Sequence, residues 1–161
     1  MKKKHLILLL FVAMAFASCR TAYRPISIEE PPRPKGQTHV LGLTAPKLDT
    51  VRIGIIGLGM RGISAVERFI HIPGVEIKAL CDIRGELCQR AEETLINAGK
   101  EKPSSYYGDE KIWKRVCERD DIDLVYVVTD WENHANIGVS AMQQGKHVAI
   151  EVPPAMTLDA I

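Results

Sequence analysis

Val51-Arg52-Ile53-Gly54-Ile55-Ile56-Gly57-Leu58-Gly59-Met60-Arg61-Gly62 is the stretch that decides the fold of this chain. An apolar, β-branched run passes straight into Gly57-x-Gly59-x-x-Gly62, and a helical pattern follows. Strand, glycine turn and helix in that order are the setting a dinucleotide fingerprint requires. In such a turn Gly57 permits the sharp reversal, Gly59 lets the backbone approach a pyrophosphate, and Gly62 lets the new helix lie close on the strand. The free N–H groups and positive dipole end of that helix suit phosphate. A plain β-turn-α unit can carry the same glycines, so the turn needs support from elsewhere.

Val75-Glu76-Ile77-Lys78-Ala79-Leu80-Cys81-Asp82 supplies it, as a second strand ending in an acid. Asp82 stands about 20 residues beyond Gly62, where a carboxylate accepts from the hydroxyls of an adenosine ribose and repels a 2′-phosphate. This favours NAD over NADP, with Arg84 near enough to keep NADP open. The alternative for Asp82 is an acid that caps the next helix.

The 161 residues suit one modest domain. Lys and Arg number 21 against 20 Asp and Glu, so the charge gives no reason to expect nucleic acid as a partner. Cys19, Cys81, Cys88 and Cys117 form no CxxC pair and no zinc-type spacing, so no metal site is expected.

Residues 1–19 read as a targeting segment. Lys2, Lys3 and Lys4 form a basic start, and Leu6 to Ala17 form an apolar core too short for a stable membrane span. Phe16-Ala17-Ser18-Cys19 resembles the lipobox of bacterial lipoproteins, with Phe16 where Leu is usual. On that resemblance Cys19 is lipidated, and the chain is exported as a periplasmic, outer-membrane or cell-surface lipoprotein held by an acyl anchor. Ordinary signal cleavage beside an incidental cysteine is the alternative. Residues 20–50, with Pro25, Pro31, Pro32, Pro34 and Pro46, read as a semi-extended tether or as an arm packed on the domain.

From Val51 to Ile161 strands and helices alternate, which predicts an α/β fold: a Rossmann-type, doubly wound parallel sheet. Ile63, Val66 and Ile70 line one helix, and Leu87, Ala91, Leu95 and Ala98 a second, closed by Gly99. Ser104 to Tyr107 is a candidate edge strand, and Ile112 to Cys117 a short helix whose Trp113 reads as core. Ile122 to Thr129 is a near-continuous apolar strand of the kind covered on both faces. Asp130 to His134 opens the helix after it. Lys146 to Val152 is a further strand, stopped by Pro153-Pro154, and Thr157 reads as the N-cap of a helix beyond. Ligands of open parallel sheets sit beyond the carboxyl ends of the strands. The glycine turn, Asp82, the Trp131–His134 loop and Glu151 all fall there.

These motifs together resemble the NAD-binding half of the glucose–fructose oxidoreductase and inositol dehydrogenase superfamily, with Val152 where that superfamily carries a lysine between Glu and Pro. The denser likeness is to glycoside hydrolase family 109. It rests on Gly57 to Gly62, Val66-Glu67-Arg68-Phe69, Gly74 to Ile77, Ala79 to Asp82, Cys117-Glu118-Arg119, Asp121 to Tyr126, Trp131-x-x-His134, Gly145 to Val148 and Glu151-Val152-Pro153. What the resemblance implies is an α-N-acetylgalactosaminidase that keeps NAD bound, acts by transient oxidation at C3 of the sugar, and takes glycans with terminal α-N-acetylgalactosamine. It also implies the cofactor contacts: Met60 and Arg61 at the turn, Asp82 on the ribose, Trp131, Glu132, Asn133 and His134 along the dinucleotide, Glu151 and Val152 at the nicotinamide end. Members of this family are two to three times longer, with catalytic residues in a second, substrate-binding domain. The expectation is therefore an incomplete NAD-binding domain over 51–161, inactive alone, with its catalytic groups beyond Ile161. A sugar or cyclitol dehydrogenase, and a non-catalytic nucleotide-binding remnant, are the alternatives.

Overall fold

Among the described residues five strands alternate with four helices: β1 (Val51–Ile56), α1 (Met60–Phe69), β2 (Val75–Cys81), α2 (Gly85–Asn97), β3 (Ser104–Tyr106), α3 (Lys114–Cys117), β4 (Leu124–Val127), α4 (Trp131–Gln143) and β5 (His147–Ile150). The structure, a computed structural model, describes residues 35–36 and 41–157. The signal-type stretch with Cys19, most of the Pro-rich segment, and the helix expected after Thr157 lie outside the described residues. The chain divides into two units, Met1–Thr44 and Ala45–Ile161. The described residues of the first are exposed, with turns at 35–36 and 41–42; all that follows concerns the second. No helix among the described residues is long and apolar enough to cross a membrane.

The sheet runs β3-β2-β1-β4-β5, and every neighbouring pair is parallel. Strand order therefore reverses beside β1, which makes the β1/β4 boundary the switch point where a crevice opens. The fold is the doubly wound sheet expected. On one face α1 and α2 bury Ile63, Val66, Cys88, Ala91 and Leu95 against Ile53, Ile55 and Leu80. On the other, α3 and α4 bury Val116, Ile137 and Ala141 against Ile56, Val125 and Val127. Gly54 admits this second layer: a Cβ there would meet Val116 Cγ1 at 2.6 Å and Ile122 Cδ1 at 2.8 Å.

Some elements are shorter than their apolar patterns. Ile122 is buried but precedes β4, and Val128 and Thr129 follow it. The apolar run there is longer than the ladder because residues beside a strand bury as deeply as those within it. The helix expected from Ile112 is a single turn at Lys114–Cys117, preceded by turns over 110–113. The strand expected over Lys146 to Val152 pairs only through His147–Ile150.

Candidate functional site

The glycine turn is built as its spacing demands. Gly57 has φ +97°, and a Cβ on it would lie 2.5 Å from the Val128 carbonyl. Only glycine takes that left-handed conformation without cost, and only glycine lets the turn press against the end of β4. At Gly62 a Cβ would stand 2.0 Å from the Gly57 carbonyl oxygen, so α1 packs directly on the turn. Gly59 differs: a Cβ there would meet nothing within 4 Å. Its free side is open space. Between them Leu58 is fully buried and anchors the turn to the core.

α1 begins with no side-chain cap and no acid in its first turn. The N-terminal N–H groups of a helix need acceptors, and here the chain supplies no side chain to them. An open backbone at Gly59, a bare helix start and no nearby carboxylate on that helix fit a pyrophosphate.

Asp82 follows β2 and is 9% exposed. Its Oδ2 accepts the Leu58 N–H at 2.7 Å, and its Oδ1 accepts the Arg84 N–H at 2.9 Å, with Arg84 Nε 3.5 Å away. The carboxylate thus does two things: it braces the glycine turn, and it closes the β2–α2 corner, where Arg84 is the N-cap and no side chain caps α2. Oδ2 keeps a second lone pair, and Asp82 lines a cleft of ≈ 340 Å³ together with Gly57, Gly59, Thr129 and Asn133. A ribose hydroxyl fits that remaining capacity. Trp113 is half-buried in the second core cluster and also borders this cleft, so core and cleft share it.

The opposite wall is the start of α4. Asp130 caps it, accepting the Asn133 N–H at 3.0 Å and the Asn133 Nδ2 at 2.8 Å. Trp131 is 58% exposed, and Glu132 and Asn133 are also at the surface. His134 is buried at 1%. Its Nδ1 lies 2.8 Å from the Pro153 carbonyl and its Nε2 3.1 Å from the Thr129 carbonyl. Both ring nitrogens face backbone carbonyls, and since a neutral imidazole carries one N–H it donates to one of the two and lies against the other; the ring sits beneath the loop between two turns. The second of those turns carries Glu151, half-buried, and Val152, 78% exposed. The Val152–Pro153 bond is cis. Met60, at 86%, and Arg61 are also exposed at this end.

Two contributors to the site carry no motif. Asp130 belongs to an Asp-x-x-Asn helix start that precedes an apolar period, a recognisable capping signal. Tyr126 is the one hydroxyl-bearing residue of β4 itself, and it donates to Glu151 Oε1 at 2.5 Å. Cys81, Cys88 and Cys117 are all buried, and burial holds each thiol well above its ordinary value, so none is a ready nucleophile.

A parallel sheet with a glycine turn at its switch point, a bare helix start and an acid closing the next strand defines a dinucleotide-binding Rossmann domain. Residues 51–161 match the oxidoreductase family with the NAD-binding Rossmann fold, and the chain belongs to that family. Within it, the sequence is 54% identical to glycosyl hydrolase family 109 protein 1 of Bacteroides thetaiotaomicron, over 98% of this chain and 36% of that protein. It is 54% identical to an α-N-acetylgalactosaminidase of Bacteroides fragilis over 76% of this chain and 29% of that protein. The chain thus spans about a third of the length of the curated relatives it matches. The structure is similar to myo-inositol dehydrogenase from Lactobacillus casei, solved with NAD(H) and myo-inositol, at 28% identity and a TM-score of 0.58, covering 69% of this chain and 31% of that one.

Proposed function

We propose that this chain is the NAD-binding part of a family 109 glycosidase that removes terminal α-N-acetylgalactosamine. The observation that carries the proposal is the turn after β5, where Val152 stands exposed beside Glu151, in a chain 54% identical to an α-N-acetylgalactosaminidase. An aliphatic side chain cannot exchange a proton with a sugar hydroxyl, which weighs against a simple alcohol dehydrogenase. NAD, when bound, supplies reversible hydride acceptance at C3 of the sugar, which acidifies the C2 proton, lets the glycoside leave by elimination, and allows reduction after water adds. The chain's own residues hold and orient. The α1 start and Gly59 would take the pyrophosphate and Asp82 the adenosine ribose, with Trp131 along the dinucleotide and Glu151 and Val152 bordering the nicotinamide end. Proton transfer at the sugar falls to groups outside this chain's described residues.

Calorimetric titration of the chain with NAD tests the first half, and Asp82→Ala is expected to weaken binding at least tenfold, since bonds to a charged acceptor contribute about 1.5–3 kcal/mol. An unchanged affinity removes Asp82 from the site. For the second half, the coding frame is read beyond Ile161 and its product is given an aryl α-N-acetylgalactosaminide in D₂O. Elimination places solvent deuterium at C2 of the released sugar; direct hydrolysis does not. Release of the sugar by the 161-residue chain alone would overturn its assignment as the cofactor part only.

A sugar or cyclitol dehydrogenase is the second reading, supported by the likeness to the inositol dehydrogenase; net NADH formation from a free sugar would favour it. We also propose export and lipid anchoring at Cys19, on the basic start and apolar run of residues 2–17. Labelled palmitate should enter the chain and be lost in Cys19→Ser.

A further inference from the structure

Glu151 leaves the sheet just beyond β5, and two groups on β4 hold it. Its N–H donates to the Val127 carbonyl at 3.0 Å, extending the ladder by one residue. Its Oε1 accepts the Tyr126 hydroxyl at 2.5 Å. Tyr126 is itself fixed. Its backbone pairs with Ile55 on one side and Ala149 on the other, and its ring tilts against Phe69 of α1 with centroids 5.4 Å apart. Burial, with the bond to Glu151 next, pushes the phenol up to about 12, so it keeps its proton at neutral pH and acts as the donor. The packing on Phe69 needs only the ring. Among the described residues the hydroxyl has a single side-chain partner, and that partner follows β5 at the carboxyl end of the sheet.

We infer that Tyr126 is a positioning residue for the nicotinamide half of the cofactor: by occupying Glu151 Oε1 it fixes the carboxylate and leaves Oε2, which has no hydrogen-bond partner among the described residues, to accept from the bound dinucleotide. The inference rests on the proposal above that Glu151 borders that half. A carboxylate held from β4 loses less freedom on binding than one free to turn, so the gain belongs to ligands that reach it. A ligand that stops at the pyrophosphate gains nothing.

NAD and ADP separate the cases, because ADP fills the adenosine and phosphate sites and lacks the rest. Both are titrated into the 161-residue chain, into Tyr126→Phe, which keeps the ring, and into Glu151→Gln. Tyr126→Phe is expected to weaken NAD about tenfold while leaving ADP within about twofold, and retained ADP binding shows that the sheet is intact. The double variant is expected to bind NAD no more weakly than Glu151→Gln, since the hydroxyl acts through the carboxylate. An unchanged NAD affinity in Tyr126→Phe, equal losses for NAD and ADP, or additive losses in the double variant each overturn the inference. If Glu151→Gln itself leaves the NAD-to-ADP ratio unmoved, the placement of nicotinamide at Glu151 fails first and takes the inference with it. If Glu151→Gln moves the ratio and Tyr126→Phe does not, the placement stands and only the role of Tyr126 is lost.

Discussion

α1 and α4 begin at the same end of the sheet, each directly after a central strand, yet their starts are built in opposite ways. α1 follows Gly57–Gly59, has no capping side chain and no acid in its first turn, and leaves open space at Gly59. α4 follows Asp130, which caps it, and carries Glu132 in its first turn. A helix N-terminus is a partial positive charge that something must satisfy. At α4 the chain satisfies it; at α1 it is left for a ligand. The same position in the fold therefore yields an open, uncapped helix start on one side of the switch point and a capped start that exposes Trp131 and Asn133 on the other.

The most severe way to break the comparison is at the glycine turn's steric floor. A side chain at Gly62 meets the Gly57 carbonyl oxygen at 2.0 Å and the carbonyl carbon at 2.9 Å, both backbone atoms that cannot rotate away. Gly62→Val is expected to cost upwards of about 3 kcal/mol, near the exceptional end for one substitution, and urea unfolding would register it. Gly59→Ala tests the other half of the claim. With nothing within 4 Å of the added methyl and φ at −63°, stability should shift by less than about 1 kcal/mol, while NAD affinity falls because the methyl takes the ligand's space. Equal destabilisation by the two would mean that Gly59 is structural and the open space incidental.

On the α4 side the buried group is His134. His134→Ala removes a buried ring and the hydrogen bond it donates to one of the Thr129 and Pro153 carbonyls. A loss of about 2–4 kcal/mol is expected, against about 1 kcal/mol for Asp130→Ala, which removes only a cap. Thermal unfolding ranks them. If the cap proves the larger, the second turn is held by its helix start and not by the imidazole.

The two turns also differ in how far they could be read from sequence. The glycine turn is local. Each requirement, a positive φ at Gly57, a contact with no Cβ at Gly62 and an acid one strand away, falls on a residue type that few other settings favour, so spacing revealed it. The second turn depends on pairings across 19 residues, His134 to Pro153, and across 25, Tyr126 to Glu151. A histidine or a tyrosine suits many environments, and only the adjacency of β4 and β5 selects this one. The resemblance to a known family implies that His134 is a cofactor neighbour, and the geometry sets its ring nitrogens against two backbone carbonyls. Strand lengths were overestimated at β4 and β5 for a related reason. Apolar patterning reports burial, and burial extends past the last ladder bond.

The glycine turn and the start of α4 grow from β1 and β4, whose far ends are clamped together, which allows a test that should affect them equally. Arg52, on β1, donates through its N–H and Nε to Asp123 Oδ2, each at 2.9 Å, and through a terminal guanidinium nitrogen to Oδ1 at 2.5 Å. The side-chain bond to Arg52 draws the Asp123 carboxyl down from 3.8 to about 2. A carboxyl lowered in the folded state adds stability that is complete above its unfolded value and disappears as pH falls through its folded value. The clamp's contribution is thus constant from neutral pH to about 4 and is lost between about 4 and about 2. Asp123→Asn should be less stable than the parent at pH 7, and the two should converge across that window. The Asp121 carboxyl is also lowered, chiefly by its bond to Arg119, and that pair is present in both proteins. Because this clamp stands at the roots of β1 and β4, its release should lower NAD affinity and loosen α4 together. Loss of one without the other would show that the glycine turn and the start of α4 do not share a common base. Parallel stability curves, with no convergence, would place the Asp123 carboxyl near its unfolded value and remove the clamp from the fold.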